Sequence, residues 1–420
     1  MKKNVLLLLM VSILCVQQVF AGGFKIALQG QKQIGMASTG VGFAQDASTI
    51  YFNPAGMSFI TNQVNGGMTG LFPSVSFLEK GTNNIYNTVN QMFTPFSLYA
   101  SCNLSKSVKL GLGVYTPFGS GVKYPTDWSG RYVLDEISLQ TVFIQPTLSF
   151  KVSNNFSLGG GFIYANGNVD LKRDLPITSG QNNTVAKAEL NGDAQGIGFN
   201  VGAYLKASDR FSLGATYHSN VNMKVDDGVA SFSNIPVGLS STFPTSNKFK
   251  TELALPSELA VGLSYKITNE LTIAIDFNHT FWKSFDSLGF DYAVNTSAVT
   301  DAKSPRLYEN ASCIRFGAQL AASKNVDLRA GVFFDQTPVQ DGYVAPELPD
   351  NNKVGLSVGG SFKFTERLHL DLSLLYENVA AREQKNKESG LEGTFQTEVI
   401  APGIGITYLF QKSTTKRKNY

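Results

Sequence analysis

One arginine stands where it could hold an acid. Arg131 follows Trp128 and Gly130 in a stretch otherwise poor in charge, with Phe118 and Tyr132 close by in sequence. A guanidinium grips a carboxylate through two parallel hydrogen bonds, and the three aromatic side chains could line the apolar tail behind it. The plainer reading is a surface arginine paired to Asp127, Asp135 or Glu136, and such exposed pairs contribute little. Bond-making chemistry has less to work with. The three histidines are His218, His279 and His369, and no His or Cys pair has ligand spacing, so neither a metal nor a cofactor is expected. His218 with Ser219 and His279 with Thr280 are sequence neighbours. On a strand they point to opposite faces and cannot serve as base and nucleophile, so no enzyme is expected.

The elements that would position Arg131 begin after an export signal. Lys2 and Lys3 precede an apolar core from Val5 to Cys15, and Val19-Phe20-Ala21 offers a cleavage site. Residues 1–21 read as a signal peptide and Gly22 as the mature start. Ser12-Ile13-Leu14 lacks the small residue that lipidation of Cys15 needs. Cys102 and Cys313 then remain, both inside expected strands, and read as small apolar side chains. No later run is long and apolar enough for a membrane helix. Forty glycines, 30 Phe and 16 Tyr with only 16% charged residues fit a transmembrane β-barrel, with its aromatic girdles and curved strands. A net charge of +3 does not suggest nucleic acid, and Lys412, Lys416, Arg417 and Lys418 belong to a solvated basic tail, 411–420.

Hydrophobicity alternates with a period of two almost throughout. In Val326–Phe334 the residues Val326, Leu328, Ala330, Val332 and Phe334 share one face and Asp327 and Arg329 the other. Leu271–Phe277, Ile314–Leu320 and Leu368–Leu374 repeat the pattern. Short polar links such as Ser105-Lys106-Ser107, Ser153-Asn154-Asn155 and Ser323-Lys324-Asn325 separate these segments. Longer polar stretches lie near 79–91, 116–136, 173–193, 224–251, 285–306, 337–352 and 381–395. Short turns at one end and long loops at the other describe an outer-membrane barrel. Seven long loops make seven hairpins. The expected fold is therefore all-β, an antiparallel transmembrane barrel of about 14 strands over 62–410. Pro402 interrupts its last strand, which ends on the aromatic Phe410.

Residues 22–61 lack strand alternation and are too short for a domain. A ring of this size leaves a lumen, and the N-terminal segment is the natural plug, or hatch. Asp46 or Ser48 could cap a short helix ended by Asn53-Pro54. Asn53, Pro54, Ala55 and Gly56 form the expected rigid turn of that hatch. Pro117 and Gly119 mark a strand kink, since proline lacks the ladder donor. Arg315 and Arg329 read as members of an interior charge network with Asp327 and Asp335.

At this point the chain resembles the FadL/TodX family of outer-membrane transporters of long-chain fatty acids and aromatic hydrocarbons. The likeness runs over the mature chain. It rests on Ala44–Gly56 around Asn53-Pro54-Ala55, Gly113–Gly119, Trp128–Tyr132, Gln145-Pro146, Phe156–Gly159, Leu255-Pro256 and Arg329–Pro338 with Pro349-Asp350. The resemblance implies capture at outward loops, transfer to an apolar pocket and sideways release into the membrane through a gap made by a kinked strand. It implies a monomer in the outer membrane of a Gram-negative bacterium, partnered by the barrel assembly machinery, outer-membrane lipid and a hydrophobic small molecule, a long-chain fatty acid first. The alternatives are an aromatic hydrocarbon channel and a surface-exposed porin or adhesin. The loops 173–193 and 224–251, expected to build the capture site, are rich in Asn, Ser, Thr and Gly.

Overall fold

The computed structural model describes residues 22–179 and 184–410; the expected signal peptide and basic tail lie outside the described residues. Fourteen antiparallel strands close into a ring. The first strand, Gln63–Thr69, pairs with Phe96–Asn103 on one side and with the last strand, Glu392–Leu409, on the other, from Gln63 opposite Leu409 to Thr69 opposite Gly403. Pro402 sits where the first strand is interrupted at Gly70, and its carbonyl accepts from the Gly70 N–H at 2.8 Å. The ladder therefore passes the proline without a register shift.

Side-chain placement is inverted relative to a soluble protein. On Val326–Asp335, Leu328 is 46% exposed while Arg329 is 5% exposed and Asp327 is buried. On Leu368–Lys385, Asp371 is buried while Leu372 and Leu374 face outward. Apolar-out and polar-in is the arrangement a bilayer selects for a barrel strand. The short turns are fixed by hydroxyls. Ser105 Oγ accepts from the N–H groups of Ser107 (3.2 Å) and Val108 (3.1 Å), and Ser153, Ser208, Thr268 and Thr365 repeat the pattern. Such side-chain turns are why Ser and Thr recur at these links.

Several expected loops are strand instead. Phe156–Ser179 pairs with Thr184–Lys206 along most of the stretch read as the 173–193 loop. Val221–Ser233 with Ser246–Leu255, Ser287–Tyr292, and the outer ends of Leu368–Lys385 and Glu392–Leu409 likewise extend into expected loops. Above the apolar band the outward side chains become polar, as at Asp170, Lys172 and Glu189, while Ala186, Ala188 and Leu190 stay buried inside. The ladder continues although the greasy outer face has ended.

The N-terminal segment fills the lumen with short helices at Gln31–Ile34 and Thr49–Phe52 and a 3-10 helix at Pro54–Phe59. It touches the wall almost all the way round through a collar of wall glycines. A Cβ on Gly159 would fall 2.5 Å from Ala55 N, on Gly214 2.0 Å from Val41 O, on Gly331 2.4 Å from Met36 C, and on Gly359 2.9 Å from Gly35 Cα. Close backbone approach of this kind leaves no room for a side chain. Polar ties add to the fit. Lys32 reaches Asp46 (3.3 Å) and Asp371 (3.8 Å), and Arg315 donates to the Ala37 carbonyl at 3.0 Å. Arg315 is thus a hatch tie stacked on Phe333, whereas Arg329 bonds Ser361 and Gln319 and lies 4.0 Å from Asp327. Asp335 pairs with Lys353 at 3.7 Å. Cys102 is exposed and Cys313 buried, and both are free thiols.

Candidate functional site

The Asn-Pro-Ala turn is bolted to the wall. Asn53 Nδ2 donates to the carbonyls of Val41 (3.1 Å) and Ala203 (3.0 Å), and its Oδ1 accepts from Ala55 N–H at 3.2 Å. Pro54 opens the 3-10 helix, where a missing N–H costs nothing. Ala55 O accepts from Ser149 (3.1 Å) and Ser157 (2.7 Å), and Gly56 packs on Thr49. Asp46 accepts from the N–H and hydroxyl of Ser48 ahead of the Thr49–Phe52 helix, which ends at Asn53 as the sequence predicts.

The third strand of the ring breaks between Val108–Tyr115 and Gly119–Lys123. Tyr115 lies opposite Phe143 and Gly119 opposite Gln140, so Thr116, Pro117 and Phe118 face only Thr141 and Val142. Three residues against two make a bulge, and Thr141 Oγ1 clamps it by accepting from Phe118 N–H and donating to Phe118 O. Gly119 admits the hatch: a Cβ there would meet Ile26 Cδ1 at 2.9 Å. Thr116 N–H still donates to Phe96 O of the neighbouring strand (3.2 Å), and beyond it the hatch completes the ladder. Ile26 N–H donates to Pro117 O (2.8 Å) and Gly119 N–H to Phe24 O (3.0 Å).

Two cavities meet at this break. An apolar chamber of about 110 Å³ is lined by Phe24, Leu139, Phe249, Phe285, Phe290 and Leu348, with Arg306, Tyr308 and Glu347 as its main polar groups. Arg306 is held by Glu347 (2.9 Å) and Glu388 (3.4 Å). A larger cavity of about 460 Å³ shares Leu139, Thr141, Glu347 and Leu348 with the chamber and runs past Lys25 and Phe118 to Met92 and Phe96, which are exposed on the outside. Residues 23–26 lie between the two. Gly23, at φ 85, packs so closely on Trp282 that a Cβ would sit 2.3 Å from its ring, and its N–H donates to Asp350 Oδ2 at 3.0 Å. Phe24 meets Trp282 and Phe285 edge-on at 4.9 and 5.4 Å. Burial pushes the Asp350 carboxyl above the ordinary carboxylate pKa. Lys25 pairs with Glu258, whose carboxylate also accepts from Asn278 and Thr280, each at 3.0 Å. Burial opposes the Lys25 charge, and the Glu258 carboxylate raises its pKa overall.

Of the four residues expected to bind substrate, Phe118 lines the larger cavity and the others lie in the loop above. Trp128 is fully buried, stacked on Tyr124 at 3.9 Å, with its Nε1–H donating to Leu134 O. Arg131 lines neither cavity. It reaches Asp174 at 3.7 Å and donates to the Tyr132 hydroxyl at 3.0 Å, and its guanidinium lies over the Tyr132 ring. Asp174 thus takes the part expected of Asp127, Asp135 or Glu136. Sequence reading missed Lys25, Glu258, Phe24, Phe285 and Arg306. The available clue was Gly23-Phe24-Lys25, a lone cation beside an aromatic at the expected mature start; Pro349-Asp350 was noted without a role.

Known proteins share this architecture. The chain is 22% identical to the long-chain fatty acid transport protein of Escherichia coli O6:H1, covering 93% of this chain and 94% of that one. A Pseudomonas aeruginosa FadL homologue superposes with a TM-score of 0.81 at 21% identity over 93% of this chain and all of that one. The Pseudomonas putida toluene transporter TodX superposes with a TM-score of 0.71 at 15% identity, over 94% and 100%. Residues 12–411 match the family model described as outer membrane protein transport protein (OMPP1/FadL/TodX), a family of transport proteins. This chain belongs to that family and is an outer-membrane transporter for hydrophobic compounds.

Proposed function

We propose that the protein takes up long-chain fatty acids by passive capture and releases them sideways into the membrane. On this reading the mature chain starts at Gly22 and works as a monomer, after insertion by the barrel assembly machinery. Its hatch, 22–61, seals the lumen. The observation that carries the reading is the larger cavity, which leads from the apolar chamber past the strand break to Met92 and Phe96 on the outer wall. Each methylene kept from water saves about 0.8 kcal/mol, so a route from apolar chamber to lipid avoids the cost of a water-filled pore. The hatch blocks the straight route, because its backbone is interlocked with the wall glycines.

A second reading, uptake of an aromatic hydrocarbon, is favoured by the chamber itself. It is small and lined by four phenylalanines, and an apolar cavity of roughly 150 Å³ accepts benzene. Both readings use the lateral gap. Deleting Thr116 would leave two residues against two and restore regular pairing with Thr141 and Val142. This variant should assemble normally yet lose uptake of hexadecanoic acid and of toluene alike. Unchanged uptake of both would overturn the lateral route, and comparing the two compounds in the intact protein separates the substrate readings.

A further inference from the structure

Beneath the apolar chamber, one ammonium group stands between two cavities with a single carboxylate partner. Lys25 lines the larger cavity and also a small cavity of about 30 Å³ behind Phe118, where Tyr51, His218 and Glu258 meet. Glu258 is its only salt-bridge partner among the described residues. The other cations along the path are more heavily committed. Arg306 is held by Glu347 and Glu388, and Lys353 stands among Asp335, Asp350 and Glu377. Glu258, by contrast, keeps two neutral donors of its own, Asn278 Nδ2 and Thr280 Oγ1. Those two bonds keep the Glu258 oxygens satisfied as hydrogen-bond acceptors when the ammonium is drawn away.

From this asymmetry we infer that Lys25 reads the substrate's headgroup: a carboxylate entering the larger cavity takes the Lys25 ammonium from Glu258, which stays on Asn278 and Thr280. The inference rests on the fatty-acid reading and deepens it by naming the residue that tells a carboxylate head from an uncharged one. One carboxylate replaces another on the same ammonium; the lumen gains the one negative charge that the substrate brings, and the charge on Glu258 is then stabilised by the bonds from Asn278 and Thr280. An alcohol or a hydrocarbon cannot make that exchange and leaves the Lys25–Glu258 pair intact. Lys25 is well placed to couple the event to its surroundings. It is the middle residue of the three whose backbone bonds Pro117 and Gly119 at the strand break. The residue on one side of it, Phe24, lines the chamber, and Ile26 on the other lines the larger cavity.

The test compares hexadecanoic acid with hexadecanol in cells that depend on this chain for their uptake. The acid-to-alcohol uptake ratio should fall roughly tenfold or more in Lys25→Met, the scale set by losing a hydrogen bond to a charged group, and should be kept in Lys25→Arg. An unchanged ratio in Lys25→Met would overturn the proposal. So would equal losses of acid and alcohol in both variants, which would make Lys25 only a strut of the hatch. If Lys25→Met fails to reach the outer membrane, Glu258→Gln decides. Weakening the competing carboxylate should raise the ratio, and a ratio that stays level or falls overturns the inference. Intact protein that imports both compounds with no preference for the acid removes the headgroup role alone. Intact protein that imports neither removes the fatty-acid reading beneath it.

Discussion

At the scale of single residues, the loop that holds Arg131 carries a proton-sensitive group beside it. Asp135 has one carboxylate oxygen buried without a partner, and its pKa is pushed up to about 6, first by burial and then by the neighbouring Asp174 carboxylate. A folded-state pKa above the ordinary carboxylate value means that the native loop binds the proton more tightly than the unfolded chain does. The stability this contributes is full below the ordinary value near 3.8 and is lost as pH rises through about 6. Amide exchange in residues 124–135, corrected for its intrinsic pH dependence, should therefore be slower at pH 4 than at pH 7. Asp135→Asn should remove that difference; a variant that keeps it would place the sensitivity elsewhere. None of this could be read from the sequence, where Asp135 was one of three interchangeable partners for Arg131. Asp174 lies far along the chain on a stretch read as loop, and only the strand pairing of Phe156–Ser179 brings it to Arg131.

At the scale of elements, the sequence was most legible where the pattern is local. Alternation in Val326–Phe334 fixes both the strand and its faces, because side chains two residues apart must share a side. The hydroxyls at Ser105, Ser153 and Thr365 mark turns for an equally local reason, since each bonds N–H groups two and three residues on. Legibility ended where the apolar band ended. In the described parts of 173–193 the outer face is largely polar, so the pattern resembles a loop although the ladder runs on. The site was legible only in its local parts, the Asn53-Pro54 turn and the Pro117 break; Lys25 and Glu258 meet across 233 positions, which no spacing rule reaches. The turn carries its own prediction. Asn53→Ala deletes two donations to the wall and hatch and one cap within the turn, each bond contributing about 1 kcal/mol. Single-channel conductance to small ions should rise in Asn53→Ala. Pro54→Ala, which keeps those bonds, should leak less, and equal conductance in both variants and the parent would argue against a seal at this turn.

At the scale of the whole molecule, the two tryptophans report on different ends of the path. Trp128 is packed in the outer loop, and Trp282 is packed against Gly23 and Phe24. In Trp128→Phe the remaining emission comes from Trp282 alone. Adding hexadecanoic acid should shift it if filling the chamber moves residues 23–26, and emission that never responds at saturating ligand would mean the segment stays in place. The collar of glycines has a consequence of another kind, for the order of assembly. A segment whose backbone lies within van der Waals distance of wall backbone on many strands cannot be threaded into a finished ring. The hatch runs directly into Gln63–Thr69, and that strand forms the seam with the last strand to be synthesised. Gln31 of the hatch packs on Gly67 from one side of the seam and on Gly403 and Gly405 from the other. The lumen must therefore be occupied while the seam is open, and the C-terminal strand zips shut over a plug already seated.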